Sequence, residues 1–213
     1  MDHDGYVSIV VVMNVVHELE QAASRAAVDQ LIREHRNIGL LLLMLDSYFA
    51  AMSSGDEVDE SLLTDAMTYM TEYVDAFHHA KERLAVEAVA DRSRAIADAR
   101  GELEKQHRRI GEAGGWLRGT LQQALRDQPI SRRKLIAVGL SYTADMRRNM
   151  ELEEREVFPA LVDVLDADAW RRIHAKLSPR PDPLFGESVH QRYGELFREL
   201  VERFGCETEA RYQ

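Results

Sequence analysis

At 213 residues the chain is long enough to bury a sizeable core as one domain with an appendage. Its net charge of −10 argues against a nucleic-acid surface, because phosphates need a basic footprint. Its one cysteine, Cys206, excludes a disulfide framework within the chain.

Near the start, the apolar run "VSIVVVMNVV" is too short to span a bilayer. It follows Asp2 and Asp4 rather than the basic flank of an export signal. No membrane partner is expected, and the reducing cytoplasm is the expected location. The β-branched residues of this run sit oddly before a helical protein, so Tyr6–Val16 is expected to cover hydrophobic surface or stay disordered.

Few prolines and much Ala, Leu, Glu and Arg predict helix. Residues 25–52 carry Val28, Leu31, Ile38, Leu42, Leu45 and Phe49 at helical spacing. After the turn "SSGDEVDE", residues 60–89 carry Leu63, Met67, Met70, Val74, Phe77 and Leu84. "ADRSRA" is a weaker break before 96–126, with Leu103, Ile110, Leu117, Leu121 and Leu125. "RDQPIS" ends that helix and offers Ser131 as the N-cap of the next, 132–164. Pro159 is expected to kink or end this fourth helix. A short helix follows "DADAW", and after the linker "SPRPDP" a last amphipathic helix lies near 187–204, expected to pack with the rest of the C-terminus across one end. The expected fold is all-α: an up-down-up-down four-helix bundle over 28–165, an N-terminal extension over 1–27 and a C-terminal helical appendage over 166–213.

The chain also repeats itself. "EHRNIG" at 34–39 returns as "QHRRIG" at 106–111, and "HHAKERLAVEAV" from His78 aligns with "NMELEEREVFPA" from Asn149. Two equivalent hairpins suit two equivalent half-sites. In antiparallel neighbours, two residues share a height when the turn falls midway between them. The midpoints of 35 and 78, of 78 and 107, and of 107 and 149 fall inside the three breaks. His35, His78, His107 and Asn149 should therefore form one layer, with Glu82 and Glu153 one turn beyond His78 and Asn149 on the same faces.

A lone histidine near an apolar face is usually a structural residue. Three histidines and two glutamates sharing one layer are different, because burying them unpaired would cost several kcal/mol. Imidazole and carboxylate are natural ligands of transition metals, and a bound metal removes that cost. His3, His17, His174 and His190 lie outside the layer and read as solvated. Glu154 and Glu156 should face water or arginines. Tyr73, Tyr142 and Trp116 read as packing, although Tyr142 is placed to donate a hydrogen bond near the site.

These residues resemble the hemerythrin-like cation-binding family, whose pattern is a lone His on helices one and three and His-x-x-x-Glu on helices two and four. His35, His78 with Glu82, His107, and Glu153 match it. "FHHAKE", "MELEEREVFP" and the tail "DPLFG" are similar to family stretches. The resemblance implies a non-haem di-iron centre bridged by Glu82 and Glu153, in a protein that binds or senses dioxygen or another small diatomic ligand rather than an enzyme. Nitric-oxide handling, iron–sulfur repair, or a helical interaction module with a decayed site are the alternatives.

One departure is plain: Asn149 stands where the family has its fourth-helix histidine. Two outcomes follow. Either His79 leans beside His107 and substitutes for the missing imidazole, or His79 points outward and the second metal position is weak or empty. The second is the expectation, since adjacent helical residues rarely share one site.

Overall fold

The computed structural model describes the backbone of residues 3–177 and 180–205, and the side chains of 21–177 and 180–205. Expectations for the side chains of Tyr6–Val16, His3, His17 and Cys206 lie outside the described residues.

Among the described residues the chain is helical without strands. Helix α1 (His3–Ser54) runs without a break from the β-branched stretch into the predicted first helix. The second arm is α2 (Glu60–Tyr69), a π-helical segment (Met70–His78) and α3 (His79–Val89). The third is α4 (Arg94–Ala124). The fourth is α5 (Arg132–Leu152), a second π-helical segment (Glu153–Val157) and α6 (Phe158–Val164). Two short helices follow, α7 (Ala167–Lys176) and α8 (Gly194–Phe204), the latter entered through a 3-10 turn at Gln191–Tyr193.

The arms start where side chains can satisfy free amides. Asp59 accepts from the Ser61 and Leu62 amides, Ser93 from Ile96, and the predicted cap Ser131 from Lys134. Gly55 ends α1 in the left-handed region, at φ 91°, which a residue without Cβ adopts at little cost. Pro159 does not end the fourth arm, which changes from π-helix to α-helix just before it. It lies in the first turn of α6, where its missing N–H is tolerated.

Burial divides the core into two clusters. Along α1 the clusters change between Leu31 and Ile38, along the second arm between Val74 and Ala85, along α4 between Leu103 and Ile110, and along the fourth arm between Met146 and Val157. Each gap brackets the predicted polar residues of its arm, so the polar layer separates two apolar halves. Residues 21–54 of α1 are long and apolar enough to cross a bilayer. Yet Leu31, Leu41, Leu42, Leu45 and Phe49 are fully buried against the other arms.

The C-terminal helices do not share one end. Trp170 and Ile173 of α7 join one cluster, and Leu196, Phe197 and Leu200 of α8 join the other. The Trp170 indole donates to Ser24 Oγ at 3.1 Å, and Ser24 donates to the Leu165 carbonyl at 2.6 Å. "DPLFG" is a docking turn: Asp182 Oδ1 accepts from the Leu184 and Phe185 amides, both at 2.9 Å, and Tyr69 donates to its other oxygen at 3.0 Å.

Candidate metal centre

Every predicted ligand lies in the polar layer, and two carboxylates stand at its middle. Glu82 Oε1 is 3.2 Å from His35 Nε2 and 3.1 Å from His78 Nε2, and Glu82 Oε2 is 3.8 Å from His107 Nε2. Glu153 Oε2 is 3.5 Å from His35 Nε2, and Glu153 Oε1 is 3.1 Å from His107 Nε2. His35, His78, His79, Glu82, Asn149 and Glu153 are all buried, and His107 is partly so.

The outer nitrogens of two of the rings are hydrogen-bonded to further carboxylates. His35 Nδ1 meets Glu154 Oε1 at 2.9 Å, and His78 Nδ1 donates to Glu34 Oε2 at 2.6 Å. The other Glu34 oxygen pairs with the buried Lys81 ammonium at 2.6 Å. His79 Nδ1 faces Asp75 Oδ1 at 3.2 Å. This is the arrangement by which protein carboxylates fix the orientation of metal-binding imidazoles. Glu34, Asp75 and Gln106 drew no notice in the sequence. The repeat "EHRNIG"/"QHRRIG" carried a signal, since Glu34 and Gln106 immediately precede the two layer histidines. Glu154 was expected to face water or arginines; although it is on the exposed face of its helix, its carboxylate reaches back to His35.

The electrostatics follow from burial opposed by charge. Burial depresses an imidazole, but at His78 the Glu82 and Glu34 carboxylates outweigh it and push the pKa up to about 10. His35 and His107 are also raised, burial being overcome by Glu82 at the first and Glu153 at the second. At His79 burial prevails and the pKa falls. Burial likewise opposes ionisation of Glu82, yet His78 and His35 hold its carboxyl well below the usual range. Glu153 is raised, by burial first and by the neighbouring Glu82 second.

Residue Asn149 reaches the layer but turns its amide nitrogen inward. Nδ2 donates to Glu153 Oε1 at 3.2 Å and to Gln106 Oε1 at 3.3 Å. The expectation that His79 points outward is overturned: it is buried, with its ring stacked on His107 at 4.3 Å between centroids. The reason is the π-helical segment ending at His78. A π turn spends one more residue than an α turn, seen in the bond from the His79 amide to the Val74 carbonyl. The face presented to the bundle shifts by one position, and two adjacent histidines flank Glu82 from inside.

The donor set fits a cation. His78 Nε2, Glu82 Oε2 and Glu153 Oε2 are buried without a hydrogen-bond partner among the described residues. Buried polar atoms left without partners are costly in a folded protein. Ligand atoms of His35, His78 and Glu82 lie within 4.8 Å of one another, as do those of His79, Glu82 and His107. A cavity of about 280 Å³ opens onto His79, Glu82, His107 and Glu153 between α3, α4 and the fourth arm, with Val86, Leu103, Val157 and Leu161 on its walls.

The hemerythrin HHE cation binding domain matches residues 26–161, well over half of the chain. The chain belongs to the hemerythrin HHE cation-binding family. Neither a curated protein nor a solved structure matches it at a significant level. In this hemerythrin HHE domain the matched segment contains the whole polar layer and ends before the C-terminal helices.

Proposed function

We propose that this hemerythrin-like protein holds non-haem iron among His35, His78, Glu82, His107 and Glu153, and binds or senses dioxygen or another small diatomic ligand there. The observation that carries this reading is the pair of central carboxylates, Glu82 and Glu153, each within reach of imidazoles from two or more arms. Imidazole and carboxylate together suit iron among the divalent metals. Iron held there in its ferrous state would supply the redox chemistry for binding a diatomic ligand. The imidazole-rich set favours ligand binding over the iron oxidation performed at carboxylate-rich ferritin-like sites, so the protein is read as a binder rather than an enzyme.

The chain's own residues provide the rest. Glu34 and Glu154 orient His78 and His35, and the cavity, lined by Val86, Leu103, Val157 and Leu161 together with charged residues such as Arg83, Arg100 and Glu104, gives a small molecule a way to the site. An up-down-up-down order of the arms belongs to this reading. It is supported by the two core clusters, which are met in opposite order along successive arms. A cytoplasmic location also belongs to it and accords with a single cysteine.

Metal analysis of the purified protein with its visible spectrum tests the proposal. Stoichiometric iron with an oxo-bridged iron band that changes under dioxygen or nitric oxide is the expected result. Protein that folds but neither retains nor takes up stoichiometric metal overturns it and leaves a helical interaction module. Steady turnover of nitric oxide would replace the binder with an enzyme.

A further inference from the structure

Resting on the metal-centre reading, we propose that His79 supplies the imidazole of a second metal position, beside His107 and Glu82, in place of the side chain at 149. The first position is then His35, His78 and Glu82, and Glu82 serves both. His79, Glu82 and His107 bring their ligand atoms within 4.8 Å of one another. The His79 and His107 rings come from different arms and are stacked at 4.3 Å between centroids, so one ring has to turn for both to direct a nitrogen at the same ion. Asp75 faces His79 Nδ1, which leaves Nε2 as the nitrogen for a metal.

The repeat explains why position 149 can give up this role. Glu34 and His78 in the first half correspond to Gln106 and Asn149 in the second. The first pair joins a carboxylate to an imidazole at 2.6 Å, and the second joins two amides at 3.3 Å. Acid and imidazole have both been exchanged for neutral amides, so the contact survives without its charge. Asn149 donates through Nδ2 to Glu153, and its Oδ1, buried without a hydrogen-bond partner among the described residues, offers only a neutral amide oxygen, a weaker ligand than imidazole. The counterpart of His79 in the other half is Met150, so the compensating imidazole belongs to the second arm alone. The bland alternative is a buried histidine that merely pairs with Asp75.

Titration of the metal-free full chain with cobalt(II) separates the two, read by bound metal per chain and by the cobalt d–d spectrum. Wild type should take two ions. His79→Met, which copies the residue of the other half, should take one, with the remaining binding event unchanged. Asn149→His should not add a third. Wild type taking only one ion, or His79→Met keeping two with the same spectrum, overturns the inference while leaving a metal centre in place. Wild type taking none overturns the metal-centre reading itself. Where His79→Met fails to fold, Asp75→Asn takes its place: the second binding event should weaken by about 10–100-fold with the first unaffected. An unchanged second event overturns the inference.

Discussion

Glu34 accepts a hydrogen bond from His78 Nδ1 at 2.6 Å, and its second oxygen holds the Lys81 ammonium, itself buried, at the same distance. One carboxylate thus steers a candidate ligand and neutralises a buried cation. Glu34→Gln should weaken metal binding by about 10–100-fold, as measured by competition with a chelator. It should also destabilise the fold by on the order of 3 kcal/mol, because Lys81 loses its counter-charge. Adding Lys81→Met should restore stability in denaturant without restoring affinity. Recovery of both would mean that Glu34 acts on the fold alone.

Position 139 of α5 sits against Phe49 of α1, and a Cβ there would overlap the aromatic ring. Phe49 is fully buried, so its ring can move aside only by displacing other core side chains. Gly139→Ala should therefore cost about 1–3 kcal/mol in urea unfolding, against the small gain that alanine brings to an exposed helix. A neutral or stabilising effect would show that α1 and α5 can separate freely.

Metal-free protein should lose stability with rising pH in the window where His78 titrates. Its pKa is raised from an ordinary value of about 6.5 to about 10, so the folded state binds the proton more tightly than the unfolded chain. The stabilisation is complete below the unfolded value and fades toward the folded one. His35 and His107 contribute in the same sense. His79 has the opposite sign, but above about pH 7.5 it is neutral in both states. The melting temperature of the metal-free protein should thus fall between about pH 7.5 and 9.5. Over the same window metal affinity should rise, since imidazole must shed its proton to ligate. A flat or rising metal-free profile would contradict the charge balance described.

Asp182 fastens the last segment through two amides and the Tyr69 hydroxyl, and shares a cavity wall with Glu34 and Lys81 but contacts no candidate ligand. Asp182→Ala should leave metal stoichiometry intact and destabilise the fold by roughly 1–3 kcal/mol, because the buried hydroxyl of Tyr69 loses its acceptor. Metal loss in this variant would reveal coupling between the C-terminal turn and the centre.

Apolar periodicity and turn chemistry made the arms readable from sequence, and the placement of His35, His78 and His107 at midpoints between breaks made their common layer readable too. Two things were hidden. An extra residue in a π turn leaves no mark in a pattern that averages over several turns, so the choice between an inward and an outward His79, both compatible with the helical spacing, fell to the wrong side. Carboxylates on the outer side of the rings look like ordinary surface charge: Glu154 lies on an exposed face, and only its reach to His35 Nδ1 distinguishes it from Glu156, which pairs with Arg155.

The cavity that touches His79 and His107 does not extend to His35 or His78. The two candidate positions therefore differ in escape route. An ion beside His107 can be stripped by a chelator entering from solvent, in a fast phase whose rate rises with chelator concentration. An ion enclosed by His35, His78 and Glu82 leaves when the arms part, in a slow phase indifferent to the chelator and as steep in temperature as unfolding itself. A centre that is nearly symmetric in sequence would thus hold one exchangeable ion and one imprisoned ion.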